Sequence, residues 1–257
     1  MPPSLNAFAG ARRGYRSRPG LLDAFGEFRA PIEAAILSVH ALIDPWPHAE
    51  PGMGRLVMLI PGFMAGDITL APMAAFIRMT GHRPLMSAIW SNSECPRRTL
   101  ERLGARLIAA HERHQRPAVL IGHSLGGVYA RELAHRHPDR IERVITMGSP
   151  IGAVRDCANI MVQAIARSVA MVRGDAPGCL SEACSCGHAI SALAPRRVPT
   201  TAIFSRSDGI VSWESCIDRS GSPMVEHVEV MASHVGMAVS AEVYGVIADR
   251  LVRPPSR

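Results

Sequence analysis

Apolar positions along the chain fall into two alternating kinds of run: short blocks and longer stretches at helical spacing. The blocks are Arg55–Ile60 (RLVMLI), Pro84–Trp90, Ala118–Ile121 (AVLI), Ile141–Met147, Thr200–Phe204 and Val225–Met231. Short apolar runs bounded by turn residues suit strands buried on both faces. Between them lie helical patterns, Ala71–Thr80 with Met73, Phe76, Ile77 and Met79, and Arg98–His114 with Leu100, Leu103, Leu107 and Ile108 on its inner face. A further helix follows Gly126 as far as His137-Pro138, and the last spans Ala241–Val252. Ahead of the first block, Phe25, Phe28, Ile32, Ile36, Val39 and Ile43 predict an amphipathic helix over Ala24–Ile43 that docks on the body.

Buried strands alternating with helices predict an α/β fold with a doubly wound parallel sheet, because parallel neighbours need a crossover between them. No alternating strand pair precedes Leu56. A reduced sheet of about six strands, all or nearly all parallel, is therefore expected. The rhythm breaks between Ile151 and Arg197, where no strand pattern occurs and Ile160, Met161, Ile165, Val169, Met171 and Val172 predict an apolar helix. We read 1–20 as a flexible basic leader and 21–257 as one domain carrying 151–197 as an insertion, which the resemblance given below identifies with a lid or cap. The methionines suit an adaptable apolar surface and, equally, ordinary core packing.

Composition narrows the class. With 257 residues and 47% hydrophobic content the chain can bury a sizeable core, which excludes a disordered protein. The formal net charge is +6, but every basic residue is arginine, and the tight clusters are pairs such as Arg12-Arg13, Arg97-Arg98 and Arg196-Arg197. No basic stripe interleaved with aromatics occurs, so nucleic-acid binding is not expected. Residues 1–20 hold no apolar core of signal-peptide length, and Arg155, Arg167 and Arg173 break the longest apolar helix candidate. A chain without a transmembrane segment, cytoplasmic by default, is the expectation.

The richest stretch chemically is Ala118–Gly127, AVLIGHSLGG. It holds the G-x-S-x-G pattern with a strand before the serine and a helix after it. A serine on such a turn sits in a strained backbone, and side chains two residues to either side would collide with it, so Gly122 and Gly126 are needed. The amide of Leu125, at a helix N-terminus, can stabilise a developing oxyanion. A serine hydroxyl is a poor nucleophile without a base, and the base needs an orienting acid. In doubly wound sheets these groups lie beyond the carboxyl ends of strands. Asp208 follows the Thr200–Phe204 strand and His234 follows the Val225–Met231 strand, in the order Ser, Asp, His that this context requires.

The rivals read as structural. His227 sits within a strand, His123 points away from the Ser124 hydroxyl, and Asp218 lies too far past its strand, though it could substitute for Asp208. His111, His114, His135 and His137 fall on charged helical surfaces. A second oxyanion donor should come from the turn after Ile60, where Pro61 has no N–H, Gly62 lets the backbone approach and Phe63 supplies the amide.

Five segments together, LIPGF at Leu59–Phe63, GHSLGG at Gly122–Gly127, ITMGSP at Ile145–Pro150, TAIFSRSDGIVSW at Thr201–Trp213 and SHVGM at Ser233–Met237, carry a resemblance to the α/β-hydrolase superfamily, in its bacterial lipase/esterase-like branch. The resemblance implies hydrolysis of a small-molecule carboxylic ester through an acyl-enzyme, without a cofactor. It also implies that Ile151–Arg197 stands where members carry a lid covering Ser124. One departure is Pro61-Gly62 where many lipases have His-Gly, which removes a side chain that could brace the loop. A thioesterase, amidase or acyltransferase would use the same triad, and a non-catalytic binding member of the fold is the reading from another class. Dehalogenase or epoxide-hydrolase chemistry would need a carboxylate at the elbow.

Six cysteines do not make a secreted disulfide framework in a chain of this length. Cys179, Cys184, Cys186 and His188 are spaced C-x4-C-x-C-x-H, which does not match the common zinc patterns, so no metal is expected. Free thiols compete with a bridge from Cys184 or Cys186 to Cys216, which would clamp the insertion to the Asp208 loop and point to an oxidising compartment.

Overall fold

The computed structural model describes residues 27, 30–43, 46–50, 53–152 and 197–253. The residues expected to form a basic leader, those expected to form an apolar helix at 160–172, and Cys179, Cys184, Cys186 and His188 lie outside the described residues. Six strands form one sheet: β1 Leu56–Ile60, β2 Arg83–Met86, β3 Ala118–His123, β4 Ile141–Met147, β5 Thr200–Phe204 and β6 Val225–Glu229. Their order is β2-β1-β3-β4-β5-β6 and every neighbouring pair is parallel. This is the all-parallel sheet expected from the sequence. After β2 the chain crosses back to the other side of β1, so the order reverses between β1 and β3. Crossover connections diverge at such a point and leave a crevice beyond the strand ends.

Why the apolar blocks became strands is visible in their burial. Every residue of β1, β3 and β5 is buried, whereas the edge strands β2 and β6 are partly exposed. Side chains alternate between faces. Val57, Leu59, Val119, Ile121, Ile145, Met147 and Ile203 meet helices α2 (Ala71–Met79) and α5 (Ala241–Val252), where Trp46, Phe76 and Tyr244 form an aromatic cluster with ring centres 4.6–6.2 Å apart. Met58, Ile60, Leu120 and Val144 face the other side, under α3 (Pro96–His114) and α4 (Leu125–Arg136).

Two elements differ from expectation. The strand expected over Pro84–Trp90 ends at Met86, because Asp67 takes the backbone N–H groups of Ser87 and Ala88 and Ala88 adopts φ +63°. Trp90 is consequently exposed rather than buried in the sheet. Helix α1 runs Ala30–Ile43, and it packs on the turn Gly236–Val239 and on α5. Its inward face is not the one that the periodicity picked out: Ile32 and Ile36 are 62% and 55% exposed, while Glu33 is buried and Leu37 packs on the core. The chain leaving β4 is held at Ile151 and Gly152, by a Gly152 N–H bond to the Ser215 carbonyl (2.8 Å) and by Arg131 Nη1 donating to the Ile151 carbonyl. Cys216 is buried, with its sulfur 3.8 Å from the Ser212 carbonyl; the cysteines expected to bridge to it lie outside the described residues.

Candidate active site

The crevice between β1 and β3 is where the strained serine stands. Ser124 follows β3 directly with φ 53° and ψ −122°, a backbone conformation costing on the order of 1–3 kcal/mol for a non-glycine residue. Its own N–H is anchored to the Met147 carbonyl (2.8 Å), and its carbonyl accepts from Gly127 N–H (3.0 Å) as α4 begins. A Cβ on Gly126 would stand 2.2 Å from the Ile60 carbonyl oxygen, so α4 can start this close to β1 only with glycine there. The turn after β1 presses on the serine from the other side, with the Cβ position of Gly62 3.1 Å from Ser124 Cβ. Leu125 directly follows Ser124 and Phe63 directly follows Gly62, and neither of their amides donates to an acceptor among the described residues.

Asp208 and His234 come together as the strand-end rule requires. His234 Nδ1 lies 2.6 Å from Asp208 Oδ2, and both side chains are buried. The other carboxylate oxygen of Asp208 accepts from the N–H groups of Ile210 (2.9 Å) and Val211 (2.7 Å), which fixes the carboxylate plane. An ionised carboxylate only accepts, so Nδ1 carries the proton and Nε2 is the basic nitrogen. Burial is the largest influence on His234 and disfavours its charged form. Asp208, by charge and hydrogen bond, and Glu27, by charge, outweigh burial and raise the imidazole above its usual value.

Gly148, at the end of β4, is packed against this pair. Its φ is +55°, and a Cβ there would lie 3.0 Å from both Asp208 Oδ2 and His234 Nδ1. Since Met147 holds the Ser124 amide, the residue next to it connects the elbow with the Asp208–His234 pair. Ser124 Oγ makes no hydrogen bond to His234 in this structure; such contacts commonly tighten only when substrate is in place.

The rival residues have structural partners. His123 Nε2 donates to the His234 carbonyl (2.9 Å) and its ring centre is 4.8 Å from that of His234. Burial first, and the neighbouring His234 second, push the His123 imidazole down to about 4, so it stays neutral at pH 7. His227 Nε2 accepts the Asp218 N–H (2.9 Å), and Asp218 itself is buried near Arg131. Sequence reasoning missed Gly148, although the ITMGSP segment contained it, and also missed Asn92. Asn92 Nδ2 donates to the Pro61 carbonyl (2.8 Å), its own carbonyl accepts from Met64 N–H (2.9 Å) and its N–H reaches the Ala65 carbonyl (2.8 Å). It supplies from the loop after β2 the brace that a histidine before Gly62 would have given. Among the described residues no cluster of His, Cys, Asp and Glu could hold a metal ion, and no helix is long and apolar enough to cross a membrane.

Comparison with known proteins agrees with this architecture. A family profile described as the alpha/beta hydrolase fold matches residues 110–179, which hold β3, Ser124, α4 and β4. The mature lipase BlEst2 of Bacillus licheniformis superposes with TM-score 0.61 at 16% identity, covering 82% of this chain and 96% of that one. Lipase B of Aspergillus fumigatus gives 0.60 at 13%, over 79% of this chain and 53% of that one. The 2-hydroxy-6-oxo-6-phenylhexa-2,4-dienoate hydrolase of Rhodococcus sp. strain RHA1 gives 0.57 at 12%, over 79% and 92%. No curated protein sequence matches the chain. Likeness at these identities speaks to the fold alone. With its parallel sheet, its elbow at the end of β3 and the family profile laid over that elbow, the chain has the α/β-hydrolase fold.

Proposed function

We propose that the protein is a serine hydrolase that cleaves a small-molecule carboxylic ester through an acyl-enzyme. Ser124 attacks the ester carbonyl while His234 Nε2 takes its proton, and Asp208 holds the imidazole in the required tautomer. The amides of Phe63 and Leu125 receive the oxyanion. The same histidine then protonates the leaving alcohol, and water, deprotonated by His234, releases the acid. Each step is a proton transfer or an acyl transfer among these groups, so no cofactor enters. The observation that carries the reading is the 2.6 Å His234–Asp208 bond beside a serine with φ 53°. Lipases among the structural neighbours add support, while the Rhodococcus hydrolase among them is a reminder that fold does not select a substrate. Thioester, amide or acyl-transfer chemistry would share the acyl-enzyme and differ in leaving group or acceptor.

A panel of aryl esters of increasing acyl length tests the reading. Turnover that depends on Ser124 is expected, and no hydrolysis of any ester, or turnover that survives Ser124→Ala, contradicts it. Esters hydrolysed far more slowly than the matching thioesters would move the assignment to a thioesterase.

Two variants probe the supports of the site. Asn92→Ala frees the turn that carries the Phe63 amide, so kcat should fall about tenfold or more with KM little changed, as when an oxyanion donor is lost or loosened. An unchanged kcat would remove Asn92 from the site. Gly148→Ala puts a methyl against Asp208 and His234 on a backbone at φ +55°. Activity should fall by about a hundredfold, as a displacement of about 1 Å can cause. Steady-state kinetics on the purified variant, with its melting temperature as a control for folding, reads this out.

A further inference from the structure

We propose that Glu27 and Glu33, from the segment that precedes β1, are positioning residues for His234: together they hold the histidine loop and lock it to the Asp208 loop. The inference rests on the reading of Ser124, Asp208 and His234 as a triad. Glu27 Oε1 accepts from the backbone N–H groups of His234 (2.9 Å) and Gly209 (3.0 Å), and Oε2 accepts from Val235 N–H (2.8 Å). Gly209 directly follows Asp208. One carboxylate therefore takes N–H groups from both loops whose relative position sets the His234–Asp208 bond. Glu33 is buried, with Oε1 accepting from Ser233 N–H (2.8 Å) and Oε2 from the Ser233 hydroxyl (2.9 Å). That hydroxyl in turn accepts the N–H of Gly236 (3.1 Å).

The consequence is a loop whose backbone donors are held from outside the sheet. From Ser233 to Gly236 every N–H is bonded, three to carboxylates of the N-terminal segment and one to the hydroxyl that Glu33 orients. Charge-assisted bonds to backbone N–H groups are about twice as strong as neutral ones. The segment reaches across 207 residues of sequence to do this. It also explains why α1 turns a glutamate inward and leaves Ile32 and Ile36 exposed.

Among the described residues, the groups facing His234 are Asp208 at its Nδ1, Glu27 at its amide, His123 beside its ring, and Glu33 one residue away through Ser233. His123 is neutral at working pH, so among these described groups the charge is that of the carboxylates. Glu27 is one of the groups that raise His234, and removing its charge lowers the pH at which His234 titrates.

Glu27→Ala, Glu27→Gln and Glu33→Gln in the full chain form the test, each assayed for kcat and KM across pH and for the titration of His234, followed through its Nδ1 proton resonance by NMR. The Ala variant should lose about tenfold in kcat with KM within about twofold, Gln at position 27 should recover part of the loss, and both should shift the His234 titration to lower pH. Wild-type kcat and titration in all three variants would overturn the proposal, as would losses that only track the fraction folded. The NMR titration needs no turnover. If the wild type hydrolyses no ester while these variants still shift His234, the positioning role stands and the esterase reading falls. If esters are hydrolysed and the variants change nothing, the positioning role falls alone.

Discussion

Replacing Ser124 by alanine is expected to lower ester hydrolysis by about 10⁴-fold or more, to the residual rate that an oxyanion site and substrate binding give alone. The backbone argument makes this a clean test. Ser124 holds φ 53° through the Met147 and Gly127 hydrogen bonds of its main chain, and these do not involve its hydroxyl. Alanine at this position keeps Cβ and the fold while removing the attacking oxygen. A loss of 10⁴ corresponds to about 5 kcal/mol of transition-state stabilisation, far more than any repacking of a half-buried side chain could supply. A variant that retains substantial esterase turnover would mean that another nucleophile does the work.

Asp208→Asn carries the second large effect, a fall of about 10³- to 10⁴-fold in kcat. The amide can still accept from Ile210 and Val211, so the loop should keep its shape. What changes is the hydrogen bond to His234: an amide NH₂ facing Nδ1 favours the tautomer with its proton on Nε2, which cannot accept from Ser124. The pH dependence gives a second signature. His234 must be neutral to act as base, and its imidazole is raised above the usual value, so the acid limb of kcat/KM in the wild type should lie above about pH 6.5. Burial lowers the imidazole in either protein, and the asparagine variant lacks the charge that offsets it. Its acid limb should therefore move to lower pH even as the rate falls. A limb that stays in place would detach Asp208 from His234.

Much of this arrangement was legible in the sequence, and the reason is the sheet. The runs at Ile141–Met147 and Thr200–Phe204 became β4 and β5 with the expected ends, because strands buried on both faces leave an unbroken apolar record. The strand-end rule then led directly to Asp208 and His234. Reading failed where a local pattern was overridden by a distant contact. Ile89 and Trp90 prolong the apolar run of β2, yet Asp67, some twenty residues earlier in the chain, takes the amides that the ladder would need. Ile32 and Ile36 have helical spacing, yet the contact that orients α1 is a Glu33 carboxylate on Ser233. Asn92 bears on the Phe63 turn through main-chain bonds that any residue between could have made, and only its amide side chain reaching Pro61 distinguishes it. No spacing records such contacts.

The central claim is that Ser124 becomes acylated with His234 and Asp208 behind it. A fluorophosphonate probe followed by proteolysis and mass spectrometry tests this most directly, because the probe forms a stable adduct only on an activated serine. The expected result is one adduct on the peptide containing Gly122–Gly127, located at Ser124, abolished in Ser124→Ala and strongly slowed in Asp208→Asn. A protein that takes up no probe, or takes it up elsewhere and equally well in Ser124→Ala, would contradict the claim.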